Sequence, residues 1–197
     1  MFAGGRLSFP GSLFPGERIE RTSTITKVAE KTGSTGRLVF VTVRHVIDGP
    51  RGTAITEEHD IVYRGLEGAA VKHAPLPPPL PDAATREEVV PDPVLLFRYS
   101  ALTANGHRIH YDRSYVTCVE GYPGLIVHGP LQATLMAGLA QRVAPGRRIA
   151  AFSFRGLRPL FDLAPFAVLA VPGDGAVTLE TRDADGYPCM QAEAALA

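Results

Sequence analysis

Three histidines, His107, His110 and His128, fall close together in the chain, beside Asn105, Asp112 and the run His128-Gly129-Pro130. Elsewhere the sequence carries only His45, His59 and His73. Imidazole is the side chain whose ordinary titration range lies nearest neutral pH, so such a cluster can take a proton and return it. A glycine followed by proline marks a helix entry, with Gly129 accepted as the N-cap and Pro130 suited to the first turn. The first-turn N–H groups have no intrahelical partner and carry the positive end of the helix dipole. Because Gly129 has no side chain, a ligand can reach that backbone. Those N–H groups can hold an oxygen on which negative charge develops, for example a thioester carbonyl becoming an enolate, while a nearby base moves the proton.

Each of these residues also has a plainer reading. Asn105 can cap a loop. Asp112 can fix a turn or pair with Arg108 or Arg113, and His128 can simply shape the helix entry. A metal site is the chemical rival. His107 and His110 are three apart, which on a helix would put both on one face. Gly106 and the run Ile109-Tyr111 oppose a helix there, however, and no carboxylate or third histidine stands at a recognisable ligand spacing. The expectation is therefore that no metal is bound.

The elements that must position these groups are legible in outline. Residues 17–28, 36–47 and 53–64 read as strands, rich in β-branched and aromatic side chains, and short turns join them into an antiparallel meander. The central one is apolar on both faces and is expected to be covered on both sides. Residues 66–93 hold Pro75, Pro77, Pro78, Pro79, Pro81, Pro91 and Pro93, which read as an extended linker with at most one short turn between Ala83 and Val90. Residues 94–103 suggest a short helix, followed by a polar loop that runs through Gly124. Residues 130–142 read as the main helix, with Leu131, Leu135 and Leu139 on one stripe. Pro145-Gly146 ends it. Four strands follow at 149–158, 164–171, 176–183 and 187–194, with hairpin turns at Pro172-Gly173-Asp174-Gly175 and Asp185-Gly186. One helix wrapped by an antiparallel sheet is an α+β, hot-dog arrangement. The domain plan is then 1–65, a partial N-terminal half of three strands; 66–93, the linker; and 94–197, the catalytic half.

Composition excludes several classes. The chain has 197 residues, with 20 basic against 20 acidic side chains, so no basic surplus points to nucleic acid and no polybasic run points to anionic lipid. No apolar run is long enough to span a bilayer. The N-terminus lacks the charged start and apolar stretch of a signal peptide. Two distant cysteines, Cys118 and Cys189, read as free thiols in a reducing cytoplasm rather than as a disulfide framework.

The run from Leu96 to Asp112, which contains Ala104-Asn105-Gly106-His107-Arg108-Ile109-His110-Tyr111-Asp112, resembles the MaoC-like hydratases. Within them it is most similar to the branch of type 2 hydroxyacyl-thioester dehydratases and mesaconyl-C4-CoA hydratases. Gly121 to Leu131 and Arg158-Pro159-Leu160-Phe161-Asp162 resemble the same branch, as do Gly4-Gly5-Arg6-Leu7, Gly36 to Val43 and Asp60-Ile61-Val62-Tyr63-Arg64. The resemblance implies a double hot-dog fold whose C-terminal half is catalytic. It implies reversible hydration of an enoyl thioester, with CoA or a carrier protein as part of the substrate and no separate cofactor. It also implies a homodimer, by analogy. Carried over by position, His110 matches the catalytic histidine and Gly129 the oxyanion donor.

Asn105 stands where the wider family has an aspartate. An amide cannot act as a general base and can only hold a water or the histidine by hydrogen bonds. His110 then carries proton transfer alone, or with Asp112 or His107. His128, Arg108, Tyr111, Asp112 and His107 are the candidates to line the substrate. Arg98, Arg108, Arg155 and Arg158 are candidates to bind a substrate carboxylate or the CoA phosphates.

Relatives of this branch begin well upstream of the Gly-Gly-Arg-Leu block, so the N-terminal half is expected to lack the helix its sheet should wrap. A bare apolar sheet face is costly, at roughly 25 cal/mol per Å². A partner chain could cover it, Met1 could be a misassigned start, or the fold could have adapted. A non-catalytic thioester-binding subunit is the reading of a different class, supported by that missing helix and by Asn105.

Overall fold

The computed structural model describes residues 2–33, 36–64, 76–82 and 84–197. His73 and the rest of the segment between Arg64 and Leu76 lie outside them. Nine antiparallel strands form one sheet. In chain order they are β1 (Phe2–Ser8), β2 (Glu20–Gly33), β3 (Gly36–Gly49), β4 (Gly52–Arg64), β5 (Thr85–Val89), β6 (Ile149–Gly156), β7 (Phe166–Pro172), β8 (Ala176–Arg182) and β9 (Pro188–Leu196). Across the sheet the order is β2-β3-β4-β1-β6-β9-β8-β7-β5. Three helices lie between β5 and β6: α1 (Pro93–Leu102), α2 (Arg113–Cys118) and α3 (Gly129–Val143).

The long helix α3 packs against β7, β8 and β9 and touches β1 and β6. It buries Leu131, Gln132, Ala133, Met136, Leu139 and Ala140. The expected stripe holds at Leu131 and Leu139, while Leu135 is only half-buried. The inward residues of the sheet meet α3 with Phe166, Val168, Ala170, Val177, Leu179, Met190, Ala192 and Ala194, all in one core. This is the hot-dog arrangement expected, with α3 as its filling.

The N-terminal half departs from the expectation in strand number. It has four strands rather than three. The additional one, β1, joins the halves: it pairs with β4 on one side and β6 on the other. Its glycines hid it from a propensity reading, yet they are what the pairing needs. A Cβ on Gly4 would stand 2.6 Å from the Phe154 carbonyl oxygen, and one on Gly5 would stand 2.7 Å from the Phe154 ring. Strands β2, β3 and β4 form the expected meander. The described residues of this half contain no helix. The double-sided cover expected for β3 is absent too, since residues 38–43 remain half-buried.

The linker also differs. Residues 85–89 are not a turn but the edge strand β5, paired with β7 from Thr85–Ala170 to Val89–Phe166. An edge position suits a short, charged strand. The proline segment before it is pinned by Arg182, which is 4% exposed and donates to the Pro78 and Pro79 carbonyls at 2.6 and 3.0 Å while pairing with Glu180. No helix among the described residues is long and apolar enough to cross a membrane.

Candidate active site

The candidate residues sit on the short elements between α1 and α3, over one end of the core. Asp92 starts α1 by accepting from the Val94 and Leu95 amides at 2.8 and 2.9 Å, with Pro93 in the first turn. The face of α1 that turns inward carries Leu96 and Ser100, both buried. The helix closes on Ala104, whose φ of 52° makes it the one positive-φ residue other than glycine among those described. A left-handed alanine is a strained choice. It lets the Asn105 amide return to the Ser100 carbonyl at 2.9 Å.

Asn105 then holds the next turn: its Oδ1 accepts from the His107 amide at 3.0 Å. That bond engages the side-chain oxygen, so the NH2 is the group of Asn105 that can still donate. A single 3-10 turn, Arg108–His110, follows. Asp112 caps α2, accepting from the Tyr115 amide at 2.9 Å, and pairs with Arg108 at 2.7 Å. Arg108 lies over the Tyr115 ring, and the Tyr111 hydroxyl donates to the Gly106 carbonyl at 2.8 Å. Asp112, Arg108 and Tyr111 are therefore engaged in holding the loop. The α2 helix went unread in the sequence because its residues are poor helix formers; Asp112 as a cap was its one signal.

The three histidines come together. The His110 and His128 rings stack with centroids 3.7 Å apart and planes 17° apart. His107 meets His110 edge-on at 5.8 Å and is itself exposed. His128, rather than Gly129, is the N-cap of α3, and it makes no side-chain capping bond. It is fully buried, with Nε2 at 2.8 Å from the Ser100 hydroxyl and the Tyr99 ring edge-on at 5.0 Å. Burial, reinforced by repulsion from His110, pushes the His128 pKa down to about 3. The ring stays neutral throughout the working range and forms a flat wall for His110.

His110 is buried, and its Nδ1 lies 2.7 Å from the Ile126 carbonyl oxygen. A carbonyl only accepts, so Nδ1 carries the proton and Nε2 presents a lone pair. Burial holds the His110 pKa below its ordinary value, partly offset by that carbonyl bond, with His107 adding repulsion. At neutral pH the ring is therefore a free base of fixed tautomer, not an imidazolium. Gly129 opens α3 directly after His128, ahead of Pro130, which has no N–H. Sequence reasoning missed Ser100, Tyr99 and Ile126. Ser100 alone left a signal, as a polar residue on the apolar face of a short helix.

An open cleft of about 690 Å³ is lined by none of these three histidines. It runs along the outer face of α3 from Pro130 to Gln141, with Leu7, Phe152 and Phe154 of the sheet opposite. Its lining includes Pro130, which follows His128-Gly129 directly, and Thr134, whose hydroxyl lies 3.4 Å from that of Tyr99. Among the described residues no group of three or more His, Cys, Asp or Glu side chains converges as a metal ion requires.

Fold and site together define a hot-dog protein of the MaoC-like dehydratase type. The chain superimposes over its whole length on a MaoC-like dehydratase from Phytophthora capsici, with a TM-score of 0.76, 16% identity and 71% of that chain covered. It likewise matches the full-length peroxisomal multifunctional enzyme type 2 of Drosophila melanogaster, with a TM-score of 0.74, 17% identity and 37% of that chain. The family model described as hydroxyacyl-thioester dehydratase type 2 matches residues 1–162, and the chain belongs to that family. It is 50% identical over 195 residues to the mesaconyl-C(4)-CoA hydratase of Chloroflexus aurantiacus, covering 98% of this chain and 68% of that protein. It is 31% identical over 127 residues to the mitochondrial hydroxyacyl-thioester dehydratase type 2 of Schizosaccharomyces pombe, covering 64% of this chain and 42% of that one.

Proposed function

We propose that the chain catalyses reversible addition of water across the α,β-double bond of an acyl thioester, on a branched dicarboxylic enoyl-CoA of the mesaconyl-C4-CoA type. The observation that carries this reading is His110: a buried, neutral imidazole held by the Ile126 carbonyl in one tautomer, beside the opening of α3. In the hydration direction Nε2 takes a proton from water as the water oxygen bonds to the β-carbon. The π electrons move toward the thioester oxygen, which becomes an enolate oxygen held by the Gly129 N–H at the positive end of α3. The α-carbon then takes the proton back and His110 is restored, so the net change is one water added. The NH2 of Asn105 holds the water by a hydrogen bond and removes no proton. This chemistry asks for no metal and no redox group.

Half identity to a mesaconyl-C(4)-CoA hydratase supports the dicarboxylic substrate. The 690 Å³ cleft supports a second reading, a longer 3-hydroxyacyl chain on CoA or a carrier protein, because a five-carbon acyl group would leave most of it empty. Two copies pairing, and a cytoplasmic setting for the free thiols of Cys118 and Cys189, belong to the same proposal.

The test is hydration followed by loss of the enoyl-thioester absorbance, with mesaconyl-C4-CoA, itaconyl-CoA and crotonyl-CoA side by side. His110→Ala should lower kcat by roughly 10²–10⁴-fold, the usual contribution of a general base. Preference for the dicarboxylic esters supports the first substrate class, and preference for crotonyl-CoA and its longer homologues supports the second. A folded chain that turns over none of them would favour a thioester-binding subunit without catalysis.

A further inference from the structure

The Arg158–Asp162 block has no place in the reaction just described, yet it ends on a buried carboxylate. The Asp162 side chain is 1% exposed. Burying a carboxylate is expensive unless it is paired and hydrogen-bonded, so its partners show what it holds in place. Its Oδ1 accepts from the Leu125 amide at 2.8 Å, and its Oδ2 pairs with the Arg113 guanidinium. Antiparallel backbone bonds accompany them, with Ile126 opposite Phe161. The Asp162 amide donates to the Leu125 carbonyl at 3.0 Å, and the Val127 amide donates to the Leu160 carbonyl at 2.8 Å. On the other side the Ile126 amide donates to the Ile109 carbonyl at 3.0 Å. Residues 125–127 are thus a short extended segment clamped between residues 160–162 and the turn that carries His110. Gly124 records how close the clamp lies: a Cβ there would stand 2.7 Å from Asp162 Oδ1.

The middle residue of that segment is Ile126, whose carbonyl receives the His110 Nδ1–H. We propose that Asp162, locked by Arg113, is a positioning residue for His110: it fixes the Ile126 carbonyl, and through it the tautomer that leaves Nε2 free. The proposal rests on the reading of His110 as the base. The physical step is simple. Neutral imidazole has two tautomers of similar energy, and a well-placed acceptor at Nδ1 selects one. If residues 125–127 drift, the ring loses its acceptor and spends part of its time with the proton on Nε2, where it cannot accept from water. Asp162 touches neither water nor substrate in this scheme.

The experiment uses the full chain, with crotonyl-CoA and mesaconyl-C4-CoA as probes and 15N-labelled histidine for the spectroscopic readout. The His110 signals are assigned by their loss in His110→Gln. In the wild type, His110 should show a protonated Nδ1 and a bare Nε2. Asp162→Ala should lower kcat by on the order of 10²-fold, the scale of a misplaced catalytic group, with KM nearly unchanged. The same variant should move the His110 nitrogens toward a tautomer mixture. Asp162→Asn keeps an oxygen for the Leu125 amide and should recover most of the rate and the original signature. Should Asp162→Ala not fold, Arg113→Ala carries the test, with a smaller shift of the same signals. Unchanged His110 nitrogens in folded Asp162→Ala or Arg113→Ala would overturn the proposal, whatever happens to the rate. A chain with no turnover on either probe, but with His110 nitrogens that respond to Asp162, would overturn the hydratase reading and leave the positioning role standing.

Discussion

The two halves of the sheet are built from similar strands and end in different physical states. Strands β6–β9 lie on α3, and their inward residues are shut away: Val177, Ala170 and Ala194 have no exposure at all. Strands β2–β4 are longer and richer in β-branched residues, yet within residues 2–64 only Ala54 and Val62 rank as buried hydrophobics among the described residues. Leu7 and Phe9 are the exceptions that lean on the shared core, and they belong to β1 and its exit, where the halves join. A sheet has two faces, and strand pairing covers neither. The difference between the halves is one helix, and the candidate site lies where that helix begins.

This contrast can be broken or sharpened by measurement. The largest effect should come from the helix core. Leu139→Ala, at a residue 1% exposed, should cost about 2–5 kcal/mol in denaturant unfolding, since it removes transfer energy and leaves a cavity. Acid should act next. His128 is held near a pKa of about 3 in the folded chain against about 6.5 unfolded, so between those values the unfolded state binds the extra proton. Its contribution to stability is full above about pH 6.5 and is lost as pH falls toward 3, at about 1.4 kcal/mol per pH unit. His128→Leu should flatten the stability curve in that window, and an unchanged slope would mean that the ring takes up a proton in place.

Smaller effects should follow outside the helix core. Asp112→Ala removes the α2 cap and the Arg108 pair and should lower stability slightly, read as a small drop in the unfolding midpoint. Its effect on kcat should be slight, whereas a drop as deep as that of His110→Ala would make Asp112 part of the chemistry. The smallest effect should be Val41→Ala in β3, below about 1 kcal/mol, because that side chain is only half-buried. A cost matching Leu139→Ala would show that the β2–β4 face is covered in solution, by a second copy or another chain. The two halves would then be alike after all.

Much of the fold was legible because its signals are local. Runs of Val, Ile and Thr marked β2, β3 and β4, and Gly129-Pro130 with Pro145-Gly146 bracketed α3. The hairpin turns of β7–β9 were marked by glycine. The missed elements are those whose stability is borrowed. β1 forms because two strands flank it and its glycines admit them. β5 forms because β7 offers a free edge. α2 forms because Asp112 caps it and Val116 finds the core.

The site divides the same way. By itself the sequence determined which residues were available: the three histidines, an amide at position 105 and a glycine at a helix entry. It also determined the family, through motifs spread along most of the chain. Only the tertiary structure decided what each group can do. The stack of His110 on His128, the buried Ser100 beneath it and the Ile126 carbonyl that sets the His110 proton all join residues far apart in the chain. A proton's position on imidazole depends on which acceptor lies within hydrogen-bond reach, and residue spacing carries no record of that distance.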